Sequence, residues 1–234
     1  MGRAKEIRLK VIPSKIANDF IKKYHYSGKV VANSTLHFGC FLDDKLGGVM
    51  SYGSSLDKSK TIGLVKSTKW NEFLELNRMA FSDMLPKYSE SRCIAISIKL
   101  LKKNAPHIKW ILSYSDGCEC GDGTIYRASG FKLTMIKPNS DIYINKKGIK
   151  VHSMTIKSNK RLISKYGNWK KAMVAKYGKC EKLKGNQLRY IYLIDKKAKL
   201  NCENLQFNEI DKMGAGMYKG KKITITERKN ASIA

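Results

Sequence analysis

The stretch FLELNRMAFSDMLPKYSESRCIA, residues 73–95, decides the fold class of this chain. Its apolar first part, residues 73–81, predicts a buried strand. The polar residues 82–90 predict a loop, and the following segment predicts a helix with the apolar residues Cys93, Ile94, Ile96, Ile98, Leu100 and Leu101. A buried strand that leads through a short loop into a helix is a typical unit of an α/β sheet protein.

Strands and helices are also predicted on both sides of this stretch. Before it, the predicted elements are a strand at residues 7–12, a helix capped by Ser14, a hairpin of strands 34–42 and 46–54, and a loop at 55–67. After it, they are a strand at 108–113, a short helix at 124–128 and a strand at 131–136. The order β-α-β-β-β-α-β-α-β predicts a mixed α/β sheet flanked by helices.

The charge of the chain points to a polyanionic partner. Its 46 Lys and Arg residues outnumber 19 Asp and Glu residues, so the formal net charge is +27. Such a chain attracts nucleic acid. The alternative is a soluble basic enzyme from an unusual proteome. In residues 151–200 alone, 14 basic residues stand against two acidic ones. A helix capped by Asn168 and ended by Gly178, and a strand at 189–194, are predicted there.

The sequence also predicts where the protein is found. No apolar run approaches the roughly 20 residues that span a bilayer, so no membrane association is expected. The charged N-terminus lacks the apolar stretch of a signal peptide. The six cysteines include no C-x-x-C pair, which argues against a structural zinc site. We therefore expect reduced thiols and a cytoplasmic protein.

Four polar residues lie at the ends of predicted elements, where catalytic groups are often found. His25 and Tyr26 end the first helix, Asp116 follows a strand, and Tyr126 lies on the short helix. A carboxylate at the carboxyl end of a strand commonly faces the site of an open α/β sheet. Imidazole suits a base or a metal ligand. Three of them also have a structural interpretation: a helix cap for His25, a turn residue for Asp116 and a core aromatic for Tyr126.

Two motifs, together with the order of elements, resemble the GNAT acyltransferase fold. The first is Leu76 to Phe81 followed by the helix start at residues 89–95, and the second is the Tyr-Arg-Ala-Ser-Gly-Phe stretch at residues 126–131. The resemblance implies acetyl-CoA or another acyl donor, whose pyrophosphate a helix N-terminus can bind. The candidate cofactor-binding residues are Ser89, Ser91 and Arg92. Serines and a cysteine stand where GNAT loops carry glycines, and an ordinary capped helix start is the alternative.

Six short pieces more specifically resemble the Mom family of phage DNA adenine-modification proteins. They are His25-Tyr26, Arg78, Ser91, residues 113–116, Tyr126 and residues 151–155. The resemblance implies that adenine in phage DNA is converted to an N6-methylcarbamoyl form, which blocks restriction in the infected bacterial host. It implies a catalytic set of His25, Tyr26, Arg78, Asp116 and Tyr126. Iron is the candidate metal, with His25, Tyr26 and Asp116 as its ligands; such N and O donors suit iron.

An adenine amino group lies inside a stacked duplex, so the base must be flipped or single-stranded. Contacts to phosphates can offset the cost of unstacking. The candidate DNA-binding residues are Lys157, Lys160, Arg161, Lys165, Lys170, Lys171 and Lys176, which alternate with aromatic residues. A merely solvated basic face is the alternative interpretation.

The resulting prediction divides the chain into three parts. Residues 1–150 form a GNAT-like catalytic domain, residues 151–200 form a basic extension that completes the fold and contacts DNA, and residues 201–234 form a basic tail of uncertain order. Two other functions remain open: an acetyl-CoA-dependent N-acetyltransferase that acts on RNA or protein, and a non-catalytic nucleic-acid-binding protein. The sequence leaves the oligomeric state open, a dimer included.

Overall fold

The computed structural model describes residues 2–231, with side chains through residue 228. After a short 3-10 turn, the first elements are β1 (Arg8–Val11), α1 (Ser14–Tyr24), β2 (Ser34–Leu42), β3 (Lys45–Gly53), α2 (Lys58–Ile62), β4 (Phe73–Phe81), α3 (Ser89–Asn104), β5 (Trp110–Gly117), α4 (Thr124–Ala128) and β6 (Lys132–Pro138). They are followed by β7 (Ile142–Asn145), β8 (Lys150–His152), α5 (Ser153–Lys157), α6 (Lys160–Tyr166), α7 (Trp169–Tyr177), β9 (Cys180–Lys182), β10 (Asn186–Leu193), α8 (Glu209–Lys212), β11 (Met217–Tyr218), β12 (Lys221–Lys222) and α9 (Ile225–Ala231).

A seven-stranded sheet forms the centre of the molecule, in the order β1-β2-β3-β4-β5-β10-β6. Its neighbouring strands are antiparallel except for β4 and β5, which are parallel. Helix α3 connects these two strands, as a parallel pair requires a crossover. The predicted mixed α/β class is therefore confirmed.

The sheet is covered by helices on both faces because its strands bury side chains on both sides. On one face, Ala17, Phe20 and Ile21 of α1 pack against Val49 and Ala80. On the other face, α3 contributes four buried apolar residues to the largest core cluster, which also holds Met50 and Tyr52 of β3: Cys93, Ile94, Ile98 and Leu101. Burial on both faces gives the central strands long apolar stretches, although β4 and β5 also carry polar residues such as Asn77, Arg78 and Asp116.

Local predictions near the N-terminus are largely confirmed, with two corrections. The β2–β3 turn has Asp43 and Asp44 at positive φ, the backbone that a two-residue hairpin turn needs. Ser14 is the first residue of α1, not its cap, because Pro13 precedes it and no side chain caps the helix. The segment predicted as loop 55–67 contains α2, which begins where Asp57 accepts a hydrogen bond from the amide of Lys60.

The basic extension is a small unit that begins earlier than the sequence suggests. Strands β8-β7-β9 form a separate three-stranded sheet. Buried Val151, Ile156, Ala172 and Met173 give this sheet and α5–α7 their own core. We call residues 142–182 the basic unit. The chain then returns to the central sheet, since β10 pairs with both β5 and β6. A domain of residues 1–150 alone would therefore lack a central strand.

The C-terminal tail has regular structure in its described part. Helix α8 buries Ile210, and Ala215 joins the main core. Strands β11 and β12 form a two-stranded ribbon before α9. The tail therefore packs on the domain through residue 228, and residues 232–234 lie outside the described part of the chain. No helix in this described part is long and apolar enough to cross a membrane.

Candidate active site

We call the place where the pairing of β4 and β5 ends the crevice. The two strands pair only through residues Phe73, Leu74 and Glu75 of β4 with Trp110, Ile111 and Leu112 of β5. Beyond these pairs, β4 continues beside β3 and β5 continues beside β10. The β3–β4 register shifts between Ser51 and Tyr52, which leaves Asn77 without a register partner. The later residues of both strands therefore border a gap at the centre of the sheet.

Asp116 lies at the carboxyl end of β5, as predicted, and it is bonded on both carboxylate oxygens. The hydroxyl of Tyr26 donates to its Oδ2 at 3.2 Å, and the amide of Cys118 donates to its Oδ1 at 2.9 Å. Its backbone carbonyl accepts from the amides of Cys120 and Gly121 at 2.9 and 3.1 Å. The predicted turn role and the predicted site role of Asp116 thus coexist, since the turn presents the carboxylate to Tyr26.

His25 ends α1, and its ring is held in one orientation. Its amide donates to the carbonyl of Ile21 at 2.9 Å, and the amide of Ser27 donates to its Nδ1 at 3.2 Å. Nδ1 also lies 2.8 Å from the Ser27 hydroxyl. Because Nδ1 accepts a hydrogen bond from the amide of Ser27, the neutral ring carries its proton on Nε2. Burial and the positive charge of Arg78 lower the pKa of His25 to about 4. The imidazole is therefore neutral near pH 7.

Arg78 supplies the positive charge of the crevice. Its Nε donates to the carbonyl of Lys29 at 3.0 Å, and its Nη1 donates to the carbonyl of Asn77 at 2.9 Å. These two bonds fix the guanidinium against the chain that follows α1. Its charge lowers the pKa of His25 and counteracts the upward shifts of Tyr26 and Tyr126. A fixed cation in this position suits an oxygen that becomes negative during a reaction.

Tyr126 is a buried aromatic whose hydroxyl faces the same group of residues. Its ring packs between Phe131 and Tyr190, with centroid distances of 5.4 and 5.3 Å. Its hydroxyl is hydrogen-bonded to Ser113 on β5. Burial raises the pKa of Tyr126 to about 12, despite the opposing effect of this bond. The hydroxyl therefore keeps its proton at neutral pH and can donate it in a hydrogen bond.

Glu75 is a site residue that the sequence interpretation missed. It lies on β4 at the last parallel pair, where the gap begins. Burial raises the pKa of its carboxyl group, although Ser55, Asn77 and the charge of Arg78 oppose the shift. A carboxyl group with a raised pKa in a crevice is a typical proton acceptor of an enzyme. Its signal in the sequence was a lone acidic residue in a strand that also carries Asn77 and Arg78.

Cys120 is a second neighbour that the sequence did not single out. The residue is exposed, and the negative charge of its thiolate form raises the pKa of Tyr26 and of Tyr126. Although the residue is exposed overall, desolvation of its thiol, followed by the charges of Asp116 and Glu119, raises the pKa of Cys120. The thiol therefore stays protonated, which is unfavourable for a nucleophile.

The predicted cofactor-binding residues lie at the start of α3. The Ser89 side chain is buried and donates to the carbonyl of Pro86 at 2.5 Å, and Ser91 donates to the carbonyl of Tyr88 at 3.2 Å. Both hydroxyl protons are therefore engaged locally rather than offered to a ligand. Helix geometry leaves first-turn amides without an intrahelical acceptor, and Arg92 is exposed there. These groups fit a phosphate, while the carboxylate of Glu90 in the same turn opposes it.

The predicted iron site is not supported. Among the described residues, no group of three or more His, Cys, Asp and Glu side chains is arranged to hold a metal ion. Of the three predicted ligands, Tyr26 and Asp116 are hydrogen-bonded to each other, and Nδ1 of His25 is bonded to Ser27. The donor set is therefore arranged as a hydrogen-bonded network, and we assign no role to iron.

The predicted DNA-binding residues lie together on the basic unit. All seven are exposed: Lys157, Lys160, Arg161, Lys165, Lys170, Lys171 and Lys176. Trp169 is partly buried against Tyr143, with Lys157 Nζ 4.8 Å and Lys170 Nζ 5.9 Å from its ring centroid. The aromatic rings thus build the unit's core and present the lysines.

One ion pair joins the basic unit to the turn after Asp116. Lys150 of β8 forms an ion pair of 3.3 Å with Glu119, three residues after Asp116. Burial lowers the pKa of His152, and its charged neighbours include Lys29 and Asp116.

The fold is a mixed α/β sheet with a split parallel strand pair, and the polar residues around this split form the candidate active site. The five residues predicted as catalytic are brought together there, although they come from separate segments of the chain. The sequence model of the Mom protein family matches residues 6–211. A relative named methylcarbamoylase mom, from Escherichia phage Mu, is 32% identical over 201 residues, covering 84% of this chain and 79% of the relative. The chain therefore belongs to the Mom protein family and is a transferase.

Solved acetyltransferase structures are similar at a lower level. One from Bacillus subtilis in complex with CoA has a TM-score of 0.44 and 13% identity, covering 80% of this chain and 98% of that one. A GNAT family acetyltransferase from Elizabethkingia anophelis with acetyl-CoA bound has a TM-score of 0.43 and 11% identity, with coverage of 80% and 98%.

Proposed function

We propose that this chain transfers a methylcarbamoyl group to the exocyclic amino group of adenine in phage DNA. The observation that carries the proposal is the convergence of Glu75, His25, Arg78, Asp116 and Tyr126 on one crevice, in a chain of the Mom family. The relative from phage Mu is named as a methylcarbamoylase, which supports the group transferred. Modified adenines would hide the phage genome from restriction enzymes in the infected bacterium.

Glu75 is the proton acceptor in this proposal. The amino group of adenine is conjugated with the ring and is a poor nucleophile, so it needs a base and an activated donor. The nitrogen attacks the donor's carbonyl carbon, the bond to the leaving group breaks, and the nitrogen gives one proton to Glu75. Burial raises the pKa of Glu75, which makes the carboxylate a stronger base than one in water.

Arg78 and Tyr126 stabilise the carbonyl oxygen as it becomes negative. The guanidinium is held by two backbone carbonyls, and the Tyr126 hydroxyl keeps its proton at neutral pH. Fixed donors of this kind need no reorganisation during the reaction. Asp116 orients Tyr26 through their hydrogen bond at the mouth of the crevice.

The chemistry of the donor follows from the group that is transferred. The amides of the first turn of α3 and Arg92 suit the phosphates of an acyl-CoA. An acetyl thioester alone cannot produce a methylcarbamoyl group, because that group contains a nitrogen which acetyl lacks. We therefore expect a donor that carries this nitrogen, and a product that exceeds N-acetyladenine by one NH group.

The basic unit supplies the binding energy for DNA. With a net charge of +27, contacts to phosphates release counterions and favour association. These contacts offset the few kcal/mol, roughly, that unstacking of the target base costs. The adjacency of Lys150, Glu119 and Asp116 supports a path from the basic unit to the crevice.

Mass spectrometry of nucleosides tests the proposal directly. DNA is isolated from bacteria that express the wild type, Glu75→Gln or a control, Glu203→Gln, which removes an exposed carboxylate outside the crevice. We expect a modified adenine in the wild type and the control, and a large decrease of it in Glu75→Gln with DNA binding retained. Unmodified DNA in wild-type cells, with acetylated RNA or protein in its place, would overturn the choice of acceptor. Modification that persists in Glu75→Gln would remove Glu75 from the mechanism.

A further inference from the structure

A buried carboxylate lies six residues after Asp116 and is held by two arginines. Asp122 is 0% exposed. Its Oδ1 pairs with Arg127 of α4 at 3.0 Å, and its Oδ2 pairs with Arg228 of α9 at 2.6 Å. Arg228 also pairs with Asp211 of α8 at 3.0 Å. A fully buried charge is tolerated only when it is paired and hydrogen-bonded, so this network specifies one arrangement of three distant segments.

The C-terminal tail is also joined to the loop after Asp116 by its backbone. The amide of Asp122 donates to the carbonyl of Met217 at 2.9 Å, and the amide of Met217 donates back to Asp122 Oδ2 at 3.1 Å. The amide of Gly220 donates to the carbonyl of Cys120 at 2.8 Å. Residues 209–228 therefore cross the loop 117–123, and we call them the C-terminal strap.

The same loop is attached to two catalytic residues. At its start, the amides of Cys120 and Gly121 bond the carbonyl of Asp116. At its end, the hydroxyl of Tyr190 donates to the carbonyl of Asp122, and the Tyr190 ring packs on Tyr126. Gly123 has φ +87°, and a Cβ there would lie 2.4 Å from the Tyr190 ring, so this turn is closely packed. A shift of the loop would move both Asp116 and Tyr126.

We propose that Arg228 and Asp122 are positioning residues, through which the C-terminal strap holds Asp116 and Tyr126 in their reactive arrangement. The inference rests on the proposed function for the roles of those two residues. Most of the strap lies beyond residue 211, where the match to the family model ends.

The test compares Arg228→Gln with Lys221→Gln, which removes the same charge from an exposed position on the same strap. Three quantities are measured: kcat for DNA modification, the Kd for DNA, and hydrogen exchange of the amides in residues 117–123. We expect Arg228→Gln to lower kcat by about 10- to 100-fold, because small displacements in an active site have effects of that size. Its Kd should match that of Lys221→Gln. Exchange should accelerate by about tenfold or more in the loop but not in β3, as local opening predicts.

Each outcome decides the proposal. An unchanged kcat, or an unchanged exchange rate in the loop, overturns it. Faster exchange in β3 as well would show a general loss of stability and would also overturn it. If Arg228→Gln does not fold, Asp211→Asn replaces it, since this change removes one anchor of Arg228 and leaves Asp122 paired. Hydrogen exchange needs no substrate, so an error in the proposed acceptor would leave this part of the test intact.

Discussion

The crevice and the basic unit use polar residues in opposite ways. In the crevice, the carboxylate of Asp116, the ring of His25 and the guanidinium of Arg78 are each bonded to specific neighbours. In the basic unit, seven cationic side chains are exposed on short helices. A hydrogen bond in a partly buried site depends on one geometry of donor and acceptor. Exposed cationic side chains instead attract a polyanion through their total charge. We therefore expect single changes to be severe in the crevice and mild in the basic unit.

The largest effect is expected for Asp116→Asn. The amide keeps the volume but loses the charge and one acceptor position, which disturbs its bonds to Tyr26 and Cys118. Modification should fall by about 10²- to 10³-fold, as for the removal of one preorganised electrostatic interaction. Rates are measured on DNA with the purified protein, and circular dichroism checks the fold. A rate within twofold or so of the wild type would contradict the assigned role.

Tyr126→Phe separates the core role of this residue from its site role. The change removes one oxygen and almost no volume, so the packing on Phe131 and Tyr190 should persist. The free energy of unfolding should change by about 1 kcal/mol, the usual contribution of one hydrogen bond. The modification rate should fall by about tenfold or more, since a fixed donor to the reacting oxygen is lost. Thermal unfolding and initial rates measure the two effects. Equal activity with lower stability would assign Tyr126 to the core alone.

The pH dependence of the rate should report Glu75 rather than His25. Burial raises the pKa of Glu75 above its ordinary value, so the basic form is lost as pH falls through that raised pKa. Below it, kcat/KM should fall by about tenfold per pH unit. Burial and Arg78 lower the pKa of His25 to about 4, so His25 stays neutral across the same range. In Glu75→Gln the residual activity should lose this acidic limb. A limb that persists in this variant would point to another group.

The smallest effect per residue is expected on the basic unit. Replacing Lys170, Lys171 and Lys176 of α7 by Ala should weaken binding about equally for all DNA sequences. The slope of log K against log salt should decrease by roughly two to three, about 0.9 for each phosphate that the variant no longer neutralises. The fold should survive because exposed lysines contribute little to stability. Titrations from low to moderate salt measure the slope. An unchanged slope would place the DNA on another face of the molecule.

The comparison also shows which features a sequence reveals. The elements from β1 to β6, apart from α2, and helix α7 were predictable, because apolar periodicity and caps such as Asn168 are local signals. The short strands β7, β8 and β9 were not predicted. They have few residues each, and they depend on pairing with one another for their stability.

Candidate catalytic residues were predicted only where a motif marked them. His25, Tyr26, Arg78, Asp116 and Tyr126 belong to pieces that resemble the Mom family. Glu75 was missed because a single acidic residue in a strand is ordinary until its burial and its neighbours are known. The hydrogen bonds from Ser89 and Ser91 to nearby carbonyls could not be predicted either, since the orientation of a hydroxyl depends on the turn before α3.

By itself, the amino-acid sequence determined the fold class, the family and the strongly basic character of this protein, since composition, periodicity and motifs need no coordinates. Tertiary structure alone decided that β10 enters the central sheet, that Glu75 faces the crevice, and that Asp122 joins Arg127 to Arg228. The physical reason is the distance along the chain. A buried ion pair between residues 106 positions apart leaves no local pattern, because only the packed fold removes its charges from water.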